Sequence, residues 1–334
     1  MRTLVVQLGC HVRGVRNMPA DLSVIIVSYN QFALTTGPCL QSLAGQDLSL
    51  EIIVVDNGSD RESVDQLRQA AAGDGRIKLL LHPENKGYAA ANNDGVQMAT
   101  SDHILLLNSD TLILANGLSG LVSHLQGTDS PCLVGPVTNA AGNEQQIHIR
   151  QGSDEAAVLA QGAQWSGHAA GSVFMTDQLS FFCVAMARKT YLDLAGLDLC
   201  FGLGFYEDAD FCCRAAGQGI SLQVVEECFV FHQGSAGFSR VPDTVKQLLA
   251  VNRKLFRSRH GRGEGVHVRW KNIQVLQGYL DQYRKNGLFR EYLFDNRLKR
   301  ARCLTPNNPL KKIRYAWHLS RLEKERDGIK GAEV

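Results

Sequence analysis

Polar residues that could hold a metal ion interrupt the apolar stretch between positions 103 and 113. The apolar run Ile104–Leu107 stops at Asn108, Ser109 and Asp110, and apolar residues resume at once. A short, continuous apolar run is typical of a parallel strand covered on both faces, and polar groups at its carboxyl end face the crevice where open α/β sheets bind ligands. Asp110 could hold a divalent cation there and so neutralise phosphate oxygens. Alternatively the three residues form only a turn, because Asn, Ser and Asp all favour turns.

Other polar residues occupy comparable positions along the chain. Asp56 follows a second apolar run, and His232 follows a later one. The acids Glu207, Asp208 and Asp210 begin a predicted helix. Because strand ends fall on one edge of a doubly wound sheet, we expect these groups to share one crevice.

Each of these residues also has a purely structural interpretation. Asp56 could cap a turn before a helix, and the acids at 207 and 208 could simply favour a helix amino terminus. Asp210 and Arg214, four residues apart, could form an ordinary helix ion pair. His232 could be a buried histidine that bonds to backbone groups. The joint arrival of these groups at one edge favours the functional interpretation.

The elements that must position these residues alternate between strands and helices. The predicted strands are 22–28, 51–55, 77–81, 103–107, 132–136, 181–187 and 222–231, and the predicted helices are 34–44, 60–72, 89–99, 188–194, 207–216 and 245–259. This alternation implies βαβ units and a mostly parallel sheet, an α/β fold. The stretch 138–172, rich in Gly, Ala, Gln and Ser, is expected to be a long loop. From about residue 261 the chain is predicted to be helical and basic, with eight Lys or Arg and no acid between positions 297 and 321.

Composition excludes several classes of protein. The net charge of +2 on 334 residues argues against a protein dominated by nucleic-acid contacts. Nine cysteines are scattered without a C-x-x-C pair, so reduced thiols in a cytoplasmic protein are the simplest account. The amino terminus lacks a signal-peptide core, and no apolar run is long enough to span a membrane. The first βα turn has no G-x-G-x-x-G and the chain has no P-loop, so a dinucleotide cofactor is not expected.

Four segments carry a resemblance to a known family. In order, they are DLSVIIVSYN, EIIVVDNGSD, NKGYAAANNDGV and ILLLNSDTLI. Together they resemble the family-2 glycosyltransferases, inverting enzymes with the glycosyltransferase-A fold, a Rossmann-like sheet with flanking helices. The later segment FFCVAMARKTYLDLAGLDLCFGLGFYEDADFCCRAAGQG resembles the acceptor half of rhamnosyltransferase-like and galactofuranosyltransferase-like members. The resemblance covers about 22–257.

The resemblance implies a nucleotide-sugar donor, a UDP- or dTDP-sugar. Asp56 would accept a hydrogen bond from N3–H of the uracil or thymine base, and Ser28 and Tyr29 would line its pocket. Further donor contacts along the nucleoside are implied for Asn85, Gly87 and Asn93. Gly87 permits close backbone approach there.

The same resemblance implies a divalent cation, Mn²⁺ or Mg²⁺. Asn108, Ser109 and Asp110 stand where the family has its Asp-x-Asp motif, so the first two would contact the donor and Asp110 would bind the metal. His232 stands where some members have a histidine ligand. This sequence departs from the motif at Asn108, which removes one carboxylate. One imidazole and few carboxylates suit Mn²⁺ at least as well as Mg²⁺.

Asp208 falls at the position of the family's catalytic base, and Glu207 and Arg214 are implied to contact the acceptor. Inversion needs one general base, because an acceptor hydroxyl displaces the nucleotide in a single step. On a helix, the side chains at 207 and 208 point about 100° apart, so both cannot face the acceptor. Asp210 is expected to be held by Arg214 instead.

The resemblance also implies a domain organisation and partners. Residues 21–136 would be the nucleotide-sugar-binding half and 137–260 the acceptor-binding half, with extensions at 1–20 and 261–334. The acceptor would be a glycan or a lipid-linked glycan in polysaccharide or cell-envelope assembly. A cytoplasmic protein is expected, with the basic carboxyl-terminal region touching the inner face of the membrane.

Two other functional classes stay open. A nucleotidyltransferase can share this sheet, but it would carry a glycine-rich loop with an arginine after the first strand, where this chain has 28–31, SYNQ. A non-catalytic protein that binds sugar nucleotides or glycans is the second alternative, because Asn108 replaces a metal ligand. Hydrolysis of a sugar nucleotide by the pure protein would distinguish an enzyme from a binding protein.

Overall fold

The computed structural model describes residues 4–6, 20–234, 242–261 and 267–332. Within these ranges the chain forms a ten-stranded mixed sheet with helices on both faces. Of the predicted extension 1–20, the short strand at 4–6 adds to the sheet edge, and residues 1–3 and 7–19 lie outside the described ranges. In the described part of the chain, no helix combines the length and the apolar character needed to cross a membrane.

The strands confirm all seven predicted strand positions, with boundaries that shift by up to two residues. They are β1 (Leu4–Val6), β2 (Leu22–Ser28), β3 (Leu50–Asn57), β4 (Ile77–His82), β5 (His103–Asn108), β6 (Thr111–Ile113), β7 (Cys132–Thr138), β8 (Val173–Thr176), β9 (Cys183–Ala187) and β10 (Ser221–His232). Their order across the sheet is β1-β4-β3-β2-β5-β9-β7-β10-β6, and β8 pairs with β10.

Strand direction explains why the functional residues meet at one edge. Strands β4, β3, β2 and β5 are parallel, as expected from the βαβ pattern. Strand β9 runs antiparallel to both β5 and β7, and β7 is parallel to β10. Two reversals restore the direction, so β10 ends at the same edge as β5. The apolar run of β9 could not reveal this reversal, because such a run carries no information on direction.

The helices are α1 (Thr36–Ser42), α2 (Arg61–Gly73), α3 (Tyr88–Met98), α4 (Ser119–Gln126), α5 (Glu155–His168), α6 (Arg188–Asp193), α7 (Glu207–Gly217), α8 (Pro242–His260), α9 (Val268–Asn286), α10 (Glu291–Cys303) and α11 (Pro309–Ala332). The prediction of a long loop or insertion over 138–172 was wrong in expecting no regular structure there, because this stretch contains α5. Asp154 caps α5 by accepting a hydrogen bond from the Ala157 amide at 2.8 Å, and the helix buries Val158 and Trp165. The sequence did not indicate this buried face, because the residues of the stretch are mostly small or polar.

Alternate residues of the central strands feed two cores. Ile25, Ile53 and Leu106 contribute to the core that continues into α9–α11, whereas neighbouring strand residues such as Val54 and Leu105 pack into the core on the other face. All five side chains are fully buried. The central strands are therefore apolar on both sides, as the continuous hydrophobic runs indicated.

The carboxyl-terminal helices are part of the packed molecule. Arg297 of α10 is fully buried and donates to Glu226 of β10 at 2.8 Å, and Tyr279 of α9 also donates to Glu226 at 2.6 Å. The predicted basic tail is corrected accordingly: Arg297 and Tyr315 belong to the interior rather than to an exposed surface. Removing one partner of such a buried pair typically costs about 3–5 kcal/mol, because it leaves an unpaired buried charge.

Candidate active site

Three adjacent strands place their polar ends at one edge of the sheet. In the strand register, Ser28 lies beside Asp56, and Val27 lies beside Asn108. Because β10 ends at the same edge, His232 joins them. The polar ends of these strands therefore lie at one edge of the sheet, and a shared crevice there stays a prediction.

Asp56 offers a buried acceptor at this edge. The side chain is almost fully buried, and its Oδ2 accepts a hydrogen bond from the Ser59 amide at 3.2 Å. Its Oδ1 has no hydrogen-bond partner among the described residues. Burial raises the pKa of Asp56 in spite of the bonds to Ser59. A buried oxygen of this kind needs a donor, and an imide N–H of a pyrimidine base would supply one.

The loop after β2 is held in an unusual backbone conformation beside Asp56. Asn30 and Gln31 both have φ near 54°, in the left-handed region. Asn30 links this loop to the one after β3, since its amide donates to Ser59 Oγ and its Oδ1 accepts from the Asp60 amide, each at 2.8 Å. Tyr29 is 45% exposed. Ser28 is buried and bonds to the Thr36 hydroxyl at 2.8 Å, so it ties the end of β2 to α1.

The loop from Asn85 to Gly87 is organised by Asn57, a residue that the sequence analysis did not select. Asn57 Nδ2 donates to Asn85 Oδ1 at 3.1 Å, and its Oδ1 accepts from the Lys86 amide at 2.9 Å. Gly87 has φ of 88°, and an added Cβ would lie 2.3 Å from the carbonyl oxygen of Gly202. Glycine is therefore required at 87, where the donor half of the site touches the loop that leads to α7.

The two predicted metal ligands are neighbours. His232 Nε2 lies 3.4 Å from Asp110 Oδ1. His232 Nδ1 lies 2.9 Å from the Ala140 carbonyl, and the ring stacks on Phe182 with centroids 5.1 Å apart. The bond from Nδ1–H to a carbonyl leaves Nε2 as the ring nitrogen that faces Asp110, the atom that would bind a metal once it has lost its proton. Burial lowers the pKa of His232, but the bond to Asp110 outweighs it and raises the pKa overall.

Asp110 and His232 fit a cation whose remaining ligands come from the substrate and water. No group of three or more His, Cys, Asp or Glu side chains suited to a metal occurs among the described residues. Mg²⁺ and similar ions are commonly held by one or two protein side chains together with substrate phosphates and water. A carboxylate and an imidazole are therefore a sufficient protein contribution for a phosphate-bound ion.

Glu207 and Asp208, at the start of α7, are buried and half-buried, and among the described residues neither has an ion pair with a cation. Glu207 is buried, and its Oε2 has no hydrogen-bond partner among the described residues. Burial and the neighbouring Asp208 raise the pKa of Glu207. Asp208 is half-buried and accepts from the Ala209 amide at 2.7 Å, and burial raises its pKa as well. Carboxyl groups with raised pKa values in a crevice are candidates for proton transfer.

The segment at 181–182 connects these acids with the metal pair. Tyr88 donates a hydrogen bond to the Phe181 carbonyl at 2.9 Å. It also lies near Glu207 and Asp208, because burial and then the charges of these two acids raise the pKa of Tyr88. The next carbonyl, that of Phe182, accepts from the Asn108 amide at 2.8 Å. Phe182 also stacks on His232. The contacts of Phe181 and Phe182 thus connect the acids of α7 to the ends of β5 and β10.

Residues 23–187 match the model of the family described as glycosyl transferase family 2. An N-acetylglucosaminyltransferase from Rhizobium leguminosarum bv. phaseoli is 35% identical over 91 residues, which are 26% of this chain and 21% of that protein. The succinoglycan biosynthesis protein ExoU of Rhizobium meliloti (strain 1021) is 33% identical over 78 residues, 23% of this chain and 22% of its own length. This chain carries a family 2 glycosyl transferase domain.

A solved structure agrees with the architecture of this chain. The crystal structure of GalNAc-T7 with UDP, GalNAc and Mn²⁺ superposes with a TM-score of 0.52 at 15% identity, covering 73% of this chain and 56% of that one. Similarity at this identity establishes the fold, so the predicted glycosyltransferase-A fold with added carboxyl-terminal helices is confirmed. The matched segments span only about a fifth of the two rhizobial relatives.

Two residues selected from the sequence, Asn93 and Arg214, have hydrogen-bond partners within this chain. The Asn93 side chain donates to the Leu197 carbonyl at 2.8 Å and accepts from the Leu197 amide and the Tyr191 hydroxyl. Arg214 donates to Asp210 at 2.8 Å, which confirms the predicted ion pair, and to two backbone carbonyls. These bonds hold α3 and α7 in place, and the predicted contacts of Asn93 with the donor and of Arg214 with the acceptor stay predictions.

Proposed function

We propose that this protein is an inverting glycosyltransferase that moves a sugar from a UDP- or dTDP-sugar to a hydroxyl of a glycan or lipid-linked acceptor. The observations that carry the proposal are an unsatisfied buried acceptor at Asp56 and the pair Asp110 and His232 at one edge of the sheet, together with the acid Asp208, which the segment 181–182 connects to that edge. These are the groups that base recognition, diphosphate neutralisation and proton removal require. Asp56 would accept from the N3–H of the base while Tyr29 covers it.

Asp110 and His232 would hold the divalent cation, which when bound supplies charge neutralisation for the diphosphate leaving group. The 3.4 Å separation of their ligand atoms supports this role. Asn108 and Ser109, immediately before Asp110, would contact the donor. The GalNAc-T7 structure of the same fold contains UDP and Mn²⁺, and we propose Mn²⁺ or Mg²⁺ for this chain as well.

Asp208 would take the proton from the acceptor hydroxyl as that hydroxyl attacks the anomeric carbon. Its raised pKa brings a carboxylate closer to the basicity that this step needs. The buried Glu207 would shape the acceptor pocket beside it. One base is enough for a single displacement, in which the carbon–oxygen bond to the diphosphate breaks on the opposite side.

The setting of the reaction is proposed from the relatives. The rhizobial relative named for succinoglycan biosynthesis supports a place in polysaccharide assembly. We propose that this chain acts on such acceptors in the cytoplasm, at the inner face of the membrane.

A panel of UDP-, dTDP- and GDP-sugars tests the donor, with binding measured by thermal shift in Mn²⁺ and turnover measured as release of nucleotide. A ligand present at 100 times its Kd should stabilise the protein by about 2.7 kcal/mol. We expect a UDP- or dTDP-sugar to do so and to be consumed. Failure of all sugars to stabilise the protein or to turn over would contradict the proposal.

The metal site is tested by calorimetry of donor binding with Mn²⁺ and with excess chelator. Asp110→Asn and His232→Asn should each weaken Mn²⁺-dependent donor binding at least about tenfold. The chain offers a matched control in a second His–Asp pair, where His82 Nε2 lies 3.0 Å from Asp94. Asp94→Asn should leave the Mn²⁺ dependence intact. Equal donor binding and turnover in excess chelator would contradict the assignment.

A further inference from the structure

Helix α11 has apolar side chains on two opposite faces. Tyr315, Leu319 and Leu322 are buried against the rest of the molecule. The exposed face carries Leu310, Ile313 and Trp317, which are 79%, 69% and 60% exposed. Their spacing of three and four residues places these three side chains in one stripe along the helix. We call this set the α11 stripe.

Cations surround the α11 stripe. Exposed cations on the same side of the helix are Arg314, Arg321 and Lys324. Arg314 lies 5.5 Å from the Trp270 ring centroid and Arg321 lies 5.9 Å from that of Trp317. Burial and then the charges of Arg321 and Arg314 lower the pKa of His318, which reports a positive field at this surface.

We propose that the α11 stripe docks the protein on an anionic lipid surface. An interfacial helix buries Trp and aliphatic side chains at the headgroup level while Lys and Arg engage anionic headgroups, and the α11 stripe has this composition. The stripe goes beyond sugar transfer and beyond the predicted basic tail, because it assigns the contact to exposed residues and excludes the buried Arg297.

Charge favours lipid over a second copy of this chain. A two-fold contact through the stripe would bring Arg314, Arg321 and Lys324 of both copies toward each other. An anionic bilayer reverses the sign of that interaction, and each cation near its surface contributes about a fivefold gain in binding.

Co-sedimentation of the full chain with vesicles tests the proposal. Wild type should bind vesicles made of an equal mixture of phosphatidylcholine and phosphatidylglycerol and should dissociate from them in high salt. It should not bind vesicles of phosphatidylcholine alone. The double substitution Arg314→Gln with Lys324→Gln should weaken binding roughly thirtyfold. Tryptophan fluorescence should shift to the blue on binding, and Trp317→Phe should remove most of that shift, since Trp165 is buried and Trp270 is half-buried.

Apolar and charged controls separate the stripe from general surface effects. Ile313→Ser with Trp317→Ser should abolish binding, whereas Met175→Ser with Val251→Ser, at residues 64% and 63% exposed, should not change it. Absence of wild-type binding, equal binding of stripe and control variants, or self-association that the stripe substitutions remove in place of lipid binding would overturn the proposal. None of these measurements depends on turnover.

A second inference concerns the loop that leads into α7. Phe205 and Tyr206, the last residues before Glu207, have φ of 70° and 77°. Two successive non-glycine residues in the left-handed region cost about 1–2 kcal/mol each, so this conformation persists only if other groups impose it. The same loop reaches the donor half, where the Gly202 carbonyl approaches Gly87.

Asn252 of α8 supplies that restraint. Its side chain is 2% exposed, and its Nδ2 lies 2.8 Å, 2.9 Å and 3.0 Å from the carbonyl oxygens of Phe201, Gly204 and Phe205. The Phe256 ring, one turn further along α8, lies 5.5 Å from the ring of Tyr206. Helix α8 therefore fixes both the backbone and the side chains of the strained loop.

We infer that Asn252 is a positioning residue that aims Asp208 at the acceptor, an inference that rests on the proposed base. Asn252→Asp keeps the shape but replaces the donating NH₂ with an oxygen that repels the three carbonyls. A displacement of about 1 Å in a catalytic group can cost on the order of 10²-fold in rate. We expect kcat per folded molecule to fall 10- to 100-fold while KM for the donor stays within about threefold.

Asn272→Asp is the matched control, because Asn272 is also buried and donates to a backbone carbonyl, that of Val268, within α9. It should lower stability without lowering kcat of the folded fraction. Measurable turnover of wild type tests the proposed function by itself. With wild type active, an unchanged kcat in Asn252→Asp, or an equal loss in Asn272→Asp, would overturn the positioning role.

Discussion

Glu226 and the acids at the start of α7 are both carboxylates removed from water, yet their surroundings differ. Glu226 is fully buried, pairs with Arg297 and accepts a hydrogen bond from Tyr279. At α7, burial raises the pKa values of Glu207 and Asp208, and the charge of Asp208 raises that of Glu207 further. The charge of Glu226 is compensated by the buried cation of Arg297, whereas Glu207 and Asp208 have, among the residues that the structure describes, only each other as charged neighbours.

The difference separates a structural role from a chemical one. A compensated buried carboxylate stabilises the arrangement around it, and its loss leaves a buried charge alone. An uncompensated carboxylate opposes folding when it is ionised, so a protein retains it where the raised basicity serves function. Substitutions in the two regions should therefore change stability in opposite directions.

The largest change in stability is expected for Arg297→Met. It leaves Glu226 buried without its cation and should lower the free energy of unfolding by about 3–5 kcal/mol in urea titration. Arg61→Met is the control, because Arg61 is 95% exposed in its pair with Asp65 and such pairs contribute about 0–1 kcal/mol. Equal losses in both variants would remove the distinction between buried and exposed pairs.

A smaller loss is expected for Asp210→Asn. Asp210 is buried and accepts from Arg214 and from His260, each at 2.8 Å, so it resembles Glu226 although it lies in the same helix turn as the uncompensated acids. We expect the free energy of unfolding to fall by about 1–3 kcal/mol. Turnover per folded molecule should stay within about tenfold of wild type. Full stability with abolished turnover would instead make Asp210 part of the chemistry.

The smallest expected change in the free energy of unfolding is an increase, for Glu207→Gln. Because the pKa of Glu207 is raised, its contribution to stability is complete below the unfolded pKa and is lost as pH rises through the folded pKa. Glu207→Gln should therefore be more stable than wild type by about 1 kcal/mol near pH 8, with the gain shrinking toward acid.

Glu51→Gln gives the matching contrast for that pH dependence. Lys78 and Ser23 outweigh burial and lower the pKa of Glu51, so its stabilisation is present above the unfolded pKa and is lost as pH falls through the folded pKa. Glu51→Gln should destabilise near neutral pH. Urea titration across pH measures both variants, and the same sign of change for both near pH 8 would contradict the comparison.

The sequence predicted the features that depend on local pattern. Strand β2 was predicted with its observed bounds, and the four-residue spacing of Asp210 and Arg214 predicted their bond. The meeting of Asp110 and His232 was also predicted, because strand ends in an open α/β sheet converge whatever loops lie between them.

Features that depend on long-range packing were not predicted. The burial of Arg297 depends on Glu226, 71 residues away in the chain, and a basic run looks the same whether or not one member is buried. The roles of Asn57, Asn93 and Asn252 arise from bonds to backbone groups of distant loops. Asparagine has no periodicity that would distinguish such a residue from one on the surface.

The most direct test of the account is Asp208→Asn, measured for turnover, donor affinity and stability in one preparation. The substitution keeps the shape and removes the proton acceptor, so turnover should fall about 10²- to 10⁴-fold while donor affinity stays nearly unchanged. The unfolding free energy near pH 8 should be equal to or above that of wild type, since an uncompensated charge is lost. Wild-type turnover in Asp208→Asn together with an inactive Glu207→Gln would show that the other carboxylate is the base and contradict the account.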